Sequence, residues 1–426
     1  MVSYAKYIFR CITCGKLFPP QDAPEYVCPV CSEKQEPGKS LLGVLECLYD
    51  YEDYKLTHSK NNAGNEIIFP PVVFPPLKVG GTPLYSSEKL CKKVDIKNVW
   101  LKDETVEPTG SYKDRASYLV VAMAQKKGYN KITCASTGNA ASSLAGICAS
   151  AGIESYIFVS ASAPRAKLVQ LAAYGANLFP INGNYDTCFE LSLQATKEFG
   201  WYNRNTAYNP WTIEGKKTAS WEIACQLNFE LPNQIFVPTG DGVIISGIYK
   251  GFFDLLQLGW IEKIPQLVAV QPEGSDAIAK ALAENEKDIS KIYRDEADSV
   301  ADSLVVNAPR NAEMALRSLK ESGGYALTVS DDEIIKAIAE VSSSTGVFVE
   351  PAASTAWAGL KKARETGKIT AEQSAVILLT GTGLKDIASA EKATQLPLPV
   401  EPTLEAVVAR LVEAGFRQTG KVSGIR

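Results

Sequence analysis

The sequence predicts an α/β protein in which parallel-rich sheets are flanked by helices, with a small cysteine-rich module at the N-terminus. Two observations support this fold class. From about residue 95 onward, short apolar runs alternate with stretches of helical periodicity, which is typical of parallel sheets covered by helices on both faces. Near the N-terminus, two CxxC pairs are separated by thirteen residues, which is typical of a zinc ribbon. A chain of 426 residues has room for two or three domains.

Composition and charge argue against several classes of function. The chain is 46% hydrophobic and 22% charged, and its formal net charge is −4, so we expect neither a nucleic-acid partner nor a membrane-surface partner. The opening MVSYAKYIFRC shows no signal peptide, and no membrane span is expected. Scattered cysteines without an export signal predict a cytoplasmic protein. His58 is the only histidine, which nearly excludes a Ser-His or Cys-His mechanism.

The N-terminal module, residues 1–45, carries the four paired cysteines Cys11, Cys14, Cys28 and Cys31. Each CxxC turn places two sulfurs on one side of a tight loop, so that the four thiolates can surround one structural zinc ion. The alternative is a set of free thiols whose metal site has been lost. The module has no basic cluster with interleaved aromatic residues, which argues against binding of nucleic acid.

The elements after this module follow in a regular order. Residues 48–80 are polar and then Pro-rich, which predicts a linker or an extended arm. Apolar runs bounded by turns then predict strands, and segments with a 3.6-residue period predict helices. The predicted strands are NVWLKD, KITCAS, SYIFVS, NLFPI, QIFVPTG, PQLVAVQ and AVILLTGTG. The predicted helices are DRASYLVVAMAQKKG, GNAASSLAGICASAG, APRAKLVQLAAYG, VIISGIYKGFFDLLQ and, in a C-terminal tail, LEAVVARLVEAGF.

Two polar turns follow predicted strands, where ligands of parallel sheets bind. In CASTGNAASS, hydroxyl, amide and backbone N–H groups meet at a helix start, although a capped helix without a ligand has a similar sequence. Its polar core is Ser136, Thr137, Gly138 and Asn139. In VPTGDGVIISG, two glycines let the backbone approach a phosphate, although a tight turn without a ligand is the alternative. The N–H groups that would hold the phosphate run from Gly240 through Asp241, Gly242 and Val243 to Ile244.

Two further stretches complete a cofactor site. LLTGTGLKD places Thr380 after a buried strand, and EPTGSYKDRAS places Lys113 between a strand end and a helix. A lysine at a helix start is usually solvated, but in a partly apolar crevice its pKa falls and its amine can form a Schiff base with an aldehyde. Pyridoxal 5′-phosphate needs such a lysine, a phosphate cradle and a partner for its ring nitrogen. The four stretches together therefore predict a pyridoxal 5′-phosphate site.

These motifs resemble the threonine synthase branch of the fold type II, tryptophan-synthase-β-like pyridoxal phosphate enzymes. The resemblance runs from about residue 78 to residue 390 and includes GGTPLY, NPWTIEGKKTASWEI and VFVEPAAST. It implies that Lys113 is the Schiff-base lysine, that Asn139 bonds the ring hydroxyl, and that Thr380 bonds the pyridine nitrogen. It also implies that the loop from Gly240 to Ile244 holds the phosphate, and that the STGN turn lies beside the substrate.

The chain departs from the family pattern at three places. Ala140 stands where members acting on phosphohomoserine often have a threonine near the substrate carboxylate. Thr212 stands where an NPxRxEG motif places an arginine near the substrate phosphate, and GDGV replaces GNGG in the phosphate loop. Loss of the arginine removes a bidentate partner for phosphate. A substitute cation would come from Lys216, Lys217, Arg165 or Lys167.

Three functions are therefore considered. The first is threonine synthase, which converts O-phospho-L-homoserine and water to L-threonine and phosphate through a Lys113 Schiff base and α-proton abstraction. The second is a related lyase of β-elimination or β-replacement, either threonine/serine dehydratase-like or a phosphoserine-using synthase such as cysteate synthase. Ala140 and Thr212 favour the second. The third is a non-catalytic homologue, which the presence of Lys113, Asn139 and Thr380 disfavours.

The resemblance also implies a domain organisation. The large cofactor-binding domain would comprise residues 46–111 and 216–395, and a small mobile domain would comprise residues 112–215. Residues 396–426 would form a helical tail that packs rather than catalyses. The family expectation is a homodimer with an amino acid as its small-molecule substrate.

Overall fold

The structure, a computed structural model, describes residues 6–63, 67–136, 138–161, 163 and 165–414. Its strands form three sheets, of three, six and four strands. The strands are β1 (Tyr7–Cys11), β2 (Leu17–Phe18), β3 (Leu45–Tyr49), β4 (Leu84–Ser86), β5 (Asn98–Asp103), β6 (Lys131–Ala135), β7 (Glu154–Ser160), β8 (Asn177–Ile181), β9 (Tyr202–Asn203), β10 (Gln234–Pro238), β11 (Gln266–Pro272), β12 (Tyr325–Val329) and β13 (Ser374–Leu379).

Sixteen α-helices accompany these strands within the described ranges. They are α1 (Pro29–Ser32), α2 (Tyr51–Lys55), α3 (Glu88–Val94), α4 (Lys113–Lys126), α5 (Asn139–Ala151), α6 (Arg165–Ala173), α7 (Tyr185–Phe199), α8 (Trp211–Lys216), α9 (Thr218–Gln226), α10 (Val243–Gln257), α11 (Ala277–Ala283), α12 (Ala312–Glu321), α13 (Asp331–Thr345), α14 (Pro351–Glu365), α15 (Ile387–Glu391) and α16 (Leu404–Glu413). In the part of the chain that the structure describes, no helix combines the length and apolarity needed to span a membrane.

The two larger sheets are built mainly of parallel strands. The six-stranded sheet has the order β12-β11-β10-β13-β5-β4, and only the edge strand β4 runs antiparallel to its neighbour. The four-stranded sheet has the order β8-β7-β6-β9 and is parallel throughout. Strands β10 and β13 are buried almost along their whole length, as expected for a sheet covered by helices on both faces. The predicted α/β fold class is confirmed.

Most predicted elements lie where the sequence placed them. The runs NVWLKD and NLFPI are β5 and β8, and VIISGIYKGFFDLLQ is α10. The predicted start of a linker at residue 48 is wrong, because β3 extends to Tyr49 and α2 follows it. The strand residues LECLY form a largely apolar run, and they pair with β1, which lies in a distant part of the chain.

The N-terminal sheet of β1, β2 and β3, which extends past residue 45, packs on the region around α8 and α12. Tyr49, at the end of β3, donates its hydroxyl to Glu214 Oε2 at 2.7 Å. Glu46 forms ion pairs with Arg10 of its own sheet and with Arg317 of α12. These contacts are polar and largely buried, so the module is held in one orientation against the remainder of the protein.

Candidate active site

A cavity of about 270 Å³ opens between the two parallel sheets. It lies beyond the carboxyl ends of β6 and β10 and at the starts of α4, α5 and α10, which is the expected ligand position for such sheets. Predicted site residues that line it are Lys113, Ser136, Asn139, Ala140, Gly240, Asp241, Gly242, Val243 and Ile244. Residues that line it without having been predicted as site residues include Tyr185, Arg204, Thr206, Lys216 and the segment Asp302, Ser303, Leu304, Val305 and Val306.

Lys113 is the first residue of α4 and is held by the turn after β13. Tyr112 N–H donates to the carbonyl oxygen of Thr380 at 2.9 Å, and Thr382 N–H donates to the carbonyl of Gly110 at 3.1 Å. Gly110 has φ +82°, and a side chain there would meet Thr382. Backbone hydrogen bonds therefore join the two motifs, and they fix the start of α4 and the position of Lys113.

The surroundings of Lys113 lower its pKa. Burial is the main cause, and the positive charge of Arg204 adds to it. The carboxylates of Asp241 and Glu350 act in the opposite direction, but they do not cancel the effect. A lower pKa increases the fraction of neutral amine, which is the nucleophilic and basic form of lysine.

Asn139 is buried at the start of α5 and faces a carboxylate from the other sheet's region. Its amide nitrogen donates to both oxygens of Glu350, at 2.9 and 3.0 Å. Glu350 N–H in turn donates to the carbonyl of Gly381, in the turn that follows β13. The STGN and TGTG turns, which lie far apart in sequence, thus meet through Glu350.

The Gly-rich loop between β10 and α10 has the geometry of a phosphate cradle. Gly242 has φ +85°, and a Cβ atom there would lie 2.8 Å from Ala315 Cβ and 3.0 Å from Asn311 O. Only glycine fits this position without a shift of its neighbours. The free N–H groups at the start of α10 follow directly, and a helix N-terminus favours an anion.

The carboxylate of Asp241 in this loop accepts a hydrogen bond from the backbone of Arg310. Its Oδ1 accepts the N–H of Arg310 at 3.1 Å, and its carbonyl accepts the N–H of Asn311 at 2.9 Å. Burial raises the pKa of Asp241, while Arg310 and Lys113 oppose that rise. The expected repulsion of a phosphate is therefore weakened, because the carboxylate is paired and close to cations.

Three predicted site residues are not among those that line the cavity. Thr380 is buried, with 6% of its surface exposed, but it does not line the cavity in this structure. Gly138 precedes α5 and donates its N–H to Ser136 Oγ at 3.1 Å without lining the cavity. Thr137 lies outside the described residues.

Arg204 and Lys216 are the main residues whose placement in the site sequence reasoning missed. Arg204 continues β9, with its N–H bonded to the carbonyl of Thr133 at 2.8 Å, and Lys216 ends α8. Lys216 had been named as one possible substitute cation, but nothing in the sequence placed it in the cavity. Arg204 belongs to no recognisable motif, so no local signal could have found it.

Comparison with known proteins identifies the family. The family model described as pyridoxal-phosphate dependent enzyme matches residues 76–381. The chain belongs to this family. It is 35% identical to the threonine synthase of Methanocaldococcus jannaschii over 406 residues, covering 92% of this chain and 96% of that protein. It is 34% identical to the threonine synthase of Mycobacterium tuberculosis over 335 residues, covering 78% of this chain and 89% of that protein.

Solved structures of this enzyme family share the fold. Diaminopropionate ammonia lyase from Escherichia coli superposes with a TM-score of 0.65 at 13% identity, covering 93% of this chain and 98% of that chain. Threonine deaminase isoform 2 from Solanum lycopersicum superposes with a TM-score of 0.63 at 22% identity, covering 77% and 99%. At such low identity these likenesses show the fold alone, and they confirm the predicted fold type II architecture.

The residues of the cavity fit pyridoxal 5′-phosphate, the cofactor of this family. Lys113, with its lowered pKa, lines the cavity together with the Gly-rich loop at the start of α10. The cradle at Gly242 is one that a Cβ atom would fill. An amine for the aldehyde and N–H groups for the phosphate are therefore present in one cavity.

The four N-terminal cysteines also lie together. Their sulfur atoms are all within 4.8 Å of one another, with Cys11 to Cys31 at 3.7 Å and Cys14 to Cys28 at 3.9 Å. Tetrahedral zinc with Zn–S bonds of about 2.3 Å requires sulfur atoms about 3.8 Å apart. The arrangement of the donors therefore suits one zinc ion.

Proposed function

We propose that this protein is a threonine synthase, which converts O-phospho-L-homoserine and water to L-threonine and inorganic phosphate. The observation that carries the proposal is the meeting of Lys113, Asn139 and the Gly-rich loop in one cavity of a chain that belongs to the pyridoxal-phosphate dependent enzymes. The similarity to threonine synthases over nearly the whole chain supports this choice of reaction.

The cofactor roles follow from the positions of the residues. Lys113 would hold the cofactor aldehyde, and the N–H groups from Gly240 to Ile244 would hold its phosphate. Asn139 would bond the ring hydroxyl, for which it would exchange part of its contact with Glu350. Thr380, a neutral partner behind the cavity, would meet the ring nitrogen without protonating it.

Proton transfer would be the main task of the protein itself. Bound pyridoxal 5′-phosphate supplies an electron sink for the α-carbon. The Lys113 amine, which is favoured in its neutral form, would remove the α-proton and carry protons between the α-, β- and γ-carbons. The Cγ–O bond to phosphate breaks, the oxygen of water bonds to Cβ, and the departing phosphate accepts a proton. No histidine is needed for this sequence of transfers.

The second candidate is β-elimination or β-replacement on serine, threonine or phosphoserine. Ala140 lines the cavity where related enzymes carry a hydroxyl, and the Thr212 hydroxyl is directed away from it, donating to Asn209 O at 2.7 Å. These two positions favour a changed substrate.

Two further proposals concern assembly. We propose that Cys11, Cys14, Cys28 and Cys31 hold one structural zinc ion, and that the protein is a homodimer with a small domain of residues 112–215 that closes over the substrate. Light scattering of the purified protein tests the dimer, and metal analysis tests the zinc.

The function is tested by product analysis. Purified holoenzyme is given O-phospho-L-homoserine, and threonine and inorganic phosphate are both quantified, with phosphoserine, serine and threonine in parallel. Threonine and phosphate formed in equal amounts support the proposal. No turnover of phosphohomoserine, together with a 2-oxo acid or a replacement product from another substrate, would establish the second candidate instead.

A further inference from the structure

Two buried cations line the cavity without a carboxylate partner among the described residues. Arg204 is 1% exposed and donates from Nε to Ser117 Oγ at 3.1 Å and from one terminal nitrogen to Thr206 Oγ1 at 3.3 Å. Its other terminal nitrogen is buried and has no hydrogen-bond partner in the part of the chain that the structure describes. Lys216 is also 1% exposed, and the hydrogen bond found for its ammonium is a long one, 3.4 Å to Thr212 O.

Apart from Lys113, the other buried cations among the described residues form ion pairs, which makes these two unusual. Lys217, the next residue along the chain and equally buried, lies 2.8 Å from both Glu214 and Asp254. Arg115 forms ion pairs with three glutamates, and Lys102 pairs with Glu222. A buried charge without a partner is costly, so such groups persist where a ligand completes them.

Mutual repulsion adds to this cost. Burial lowers the pKa of Lys216 well below its ordinary value, and the nearby charges of Arg204 and Lys113 lower it further. Burial likewise lowers the pKa of Arg204. Asp241, the neighbouring carboxylate, is already engaged with the N–H of Arg310. An anion in the cavity would raise the pKa of Lys216 and stabilise the charged forms of both cations.

Lys216 lies one helical turn after Thr212. On a helix, residues four apart lie on one face, and long side chains lean toward the N-terminus. The ammonium of Lys216 accordingly reaches back to the carbonyl of Thr212, the position at which the related NPxRxEG motif has an arginine. Thr212 itself uses its hydroxyl within the turn, as a donor to Asn209 O and an acceptor from Ala207 N–H.

Arg204 lines the same cavity and lies close to Lys113 and Lys216. Its contact Ser117 lies one helical turn after Lys113 on α4, and Tyr112, which precedes Lys113, donates its hydroxyl to Lys216 O at 2.6 Å. Both cations therefore border the reactive lysine. The cofactor phosphate already has the N–H groups at the start of α10, so the two cations remain for a second anion.

We propose that Arg204 and Lys216 form an anion subsite that binds the phosphate group of the amino-acid substrate; this subsite deepens, and rests on, the proposed function. An arginine fork and a lysine ammonium together match the oxygens of a phosphate dianion. Pairing with this group would also neutralise the Arg204 charge, which lowers the pKa of Lys113.

The test uses Lys216→Met and Arg204→Gln, with Lys216→Arg as the variant that keeps the charge. For phosphohomoserine we expect KM to rise about 10- to 150-fold in the first two variants, the change for loss of a hydrogen bond to a charged group, with partial retention in Lys216→Arg. Affinity for pyridoxal 5′-phosphate, followed by absorbance, should remain within about threefold of wild type. Loss of cofactor affinity with unchanged KM would assign the cations to the cofactor and overturn the proposal.

A binding arm separates this proposal from the proposed reaction. Holoenzyme is titrated calorimetrically with 2-amino-5-phosphonopentanoate, with the carboxylate 2-aminoadipate and with the uncharged 2-aminohexanoate. The proposal expects preference for the phosphonate and its loss in Lys216→Met, whether or not phosphohomoserine is turned over. Preference for the carboxylate would overturn the phosphate assignment, and equal binding of all three would overturn the subsite. If phosphohomoserine is turned over and the variants behave like wild type, the threonine synthase proposal is retained and the subsite proposal is overturned.

The melting temperature gives an independent test of the unpaired Lys216 charge, with Lys217 as the matched control. Because the charge of Lys216 is buried and unpaired, Lys216→Met should raise the melting temperature of the ligand-free protein. Lys217→Met removes an equally buried but doubly paired charge, so it should lower the melting temperature or prevent folding. A Lys216→Met variant that melts lower than wild type would contradict the idea that this charge awaits a ligand.

Discussion

At the scale of single residues, the cavity distinguishes buried lysines by what surrounds them. Lys113 and Lys216 both line the cavity and both have a lowered pKa. Only Lys113 stands at a helix start whose backbone is bonded to the turn after β13. Position, rather than pKa alone, therefore assigns the Schiff-base role to Lys113 in the proposed function.

The identity of the reactive lysine is directly testable. Borohydride reduction of the holoenzyme, followed by peptide mass spectrometry, should find the cofactor on Lys113 and leave Lys216 unmodified. Lys113→Ala should abolish the visible absorbance of the bound cofactor and lower kcat by about 10²- to 10⁴-fold or more, since both a nucleophile and a proton carrier are removed. Label on Lys216 would contradict the assignment.

The pH dependence of cofactor binding should follow the charges near Lys113. The amine reacts with the aldehyde only when neutral, so recombination of cofactor-free protein with pyridoxal 5′-phosphate should accelerate as pH rises through the lowered pKa of Lys113. Removal of a positive charge by Arg204→Gln should raise that pKa and move the transition to higher pH. Removal of a negative charge by Glu350→Gln should lower it and move the transition to lower pH. Shifts of the same sign in both variants, measured by stopped-flow absorbance, would refute this electrostatic account.

At the scale of elements, close packing of two helices holds the lysine in place. Helix α8 crosses α4 with Gly215 against its first turns, and a Cβ atom on Gly215 would lie only 2.2 Å from the carbonyl oxygen of Arg115. The same short helix carries Lys216 and is anchored by Glu214, which pairs with Lys217 and accepts from Tyr49. A small shift of α8 would therefore move both sides of the cavity.

Gly215→Ala should test whether the packing of α8 against α4 holds Lys113 in position. The new methyl group cannot fit, so the helices must separate at a cost of about 1–3 kcal/mol in the free energy of unfolding, and displacement of Lys113 should lower kcat by about 10- to 100-fold. Gly152→Ala is the control, because this glycine caps α5 with φ +68° and open space around it. It should cost about 1 kcal/mol and leave kcat unchanged. Denaturant unfolding and steady-state kinetics measure both; equal kcat values in the two variants would contradict the argument.

At the scale of the whole molecule, contacts of one arginine connect the cysteine-rich module to the Gly-rich loop between β10 and α10. Arg310 donates to the carbonyl of Lys39 in the module at 2.7 Å and forms an ion pair with Asp186 of α7. The backbone N–H of the same residue donates to Asp241 in the Gly-rich loop. The module, the four-stranded sheet region and the Gly-rich loop therefore meet at one buried arginine, so we expect the order of the module to affect the site.

This coupling predicts a consequence of zinc removal. If the four thiolates hold zinc, metal analysis should find about one ion per chain, and Cys28→Ser or chelation should lower the melting temperature because the module loses its cross-link. Cofactor affinity should fall with it, through Arg310. Cys91→Ser, at a partly buried cysteine outside the cluster, is the control and should change neither quantity. Full cofactor affinity in metal-free protein would show that the module and the site are independent.

The sequence by itself determined the fold class, the cofactor and the local motifs around Lys113, Asn139 and the loop at Gly242, because each depends on a short stretch with its own turn chemistry. It could not determine how the stretches meet. The contact of Asn139 with Glu350 and the arrival of Arg204 beside Lys113 depend on which strands become neighbours in the sheets.

Tertiary structure alone also decided which cations are paired. Lys216 and Lys217 are adjacent and identical in sequence, yet one faces two carboxylates and the other faces the cavity. The helical rotation of about 100° between consecutive residues separates their side chains, and only the packing of α8 against its neighbours decides which side holds carboxylates and which holds the cavity. For this reason the proposal of Lys216 rather than Lys217 as the substitute cation required the folded protein.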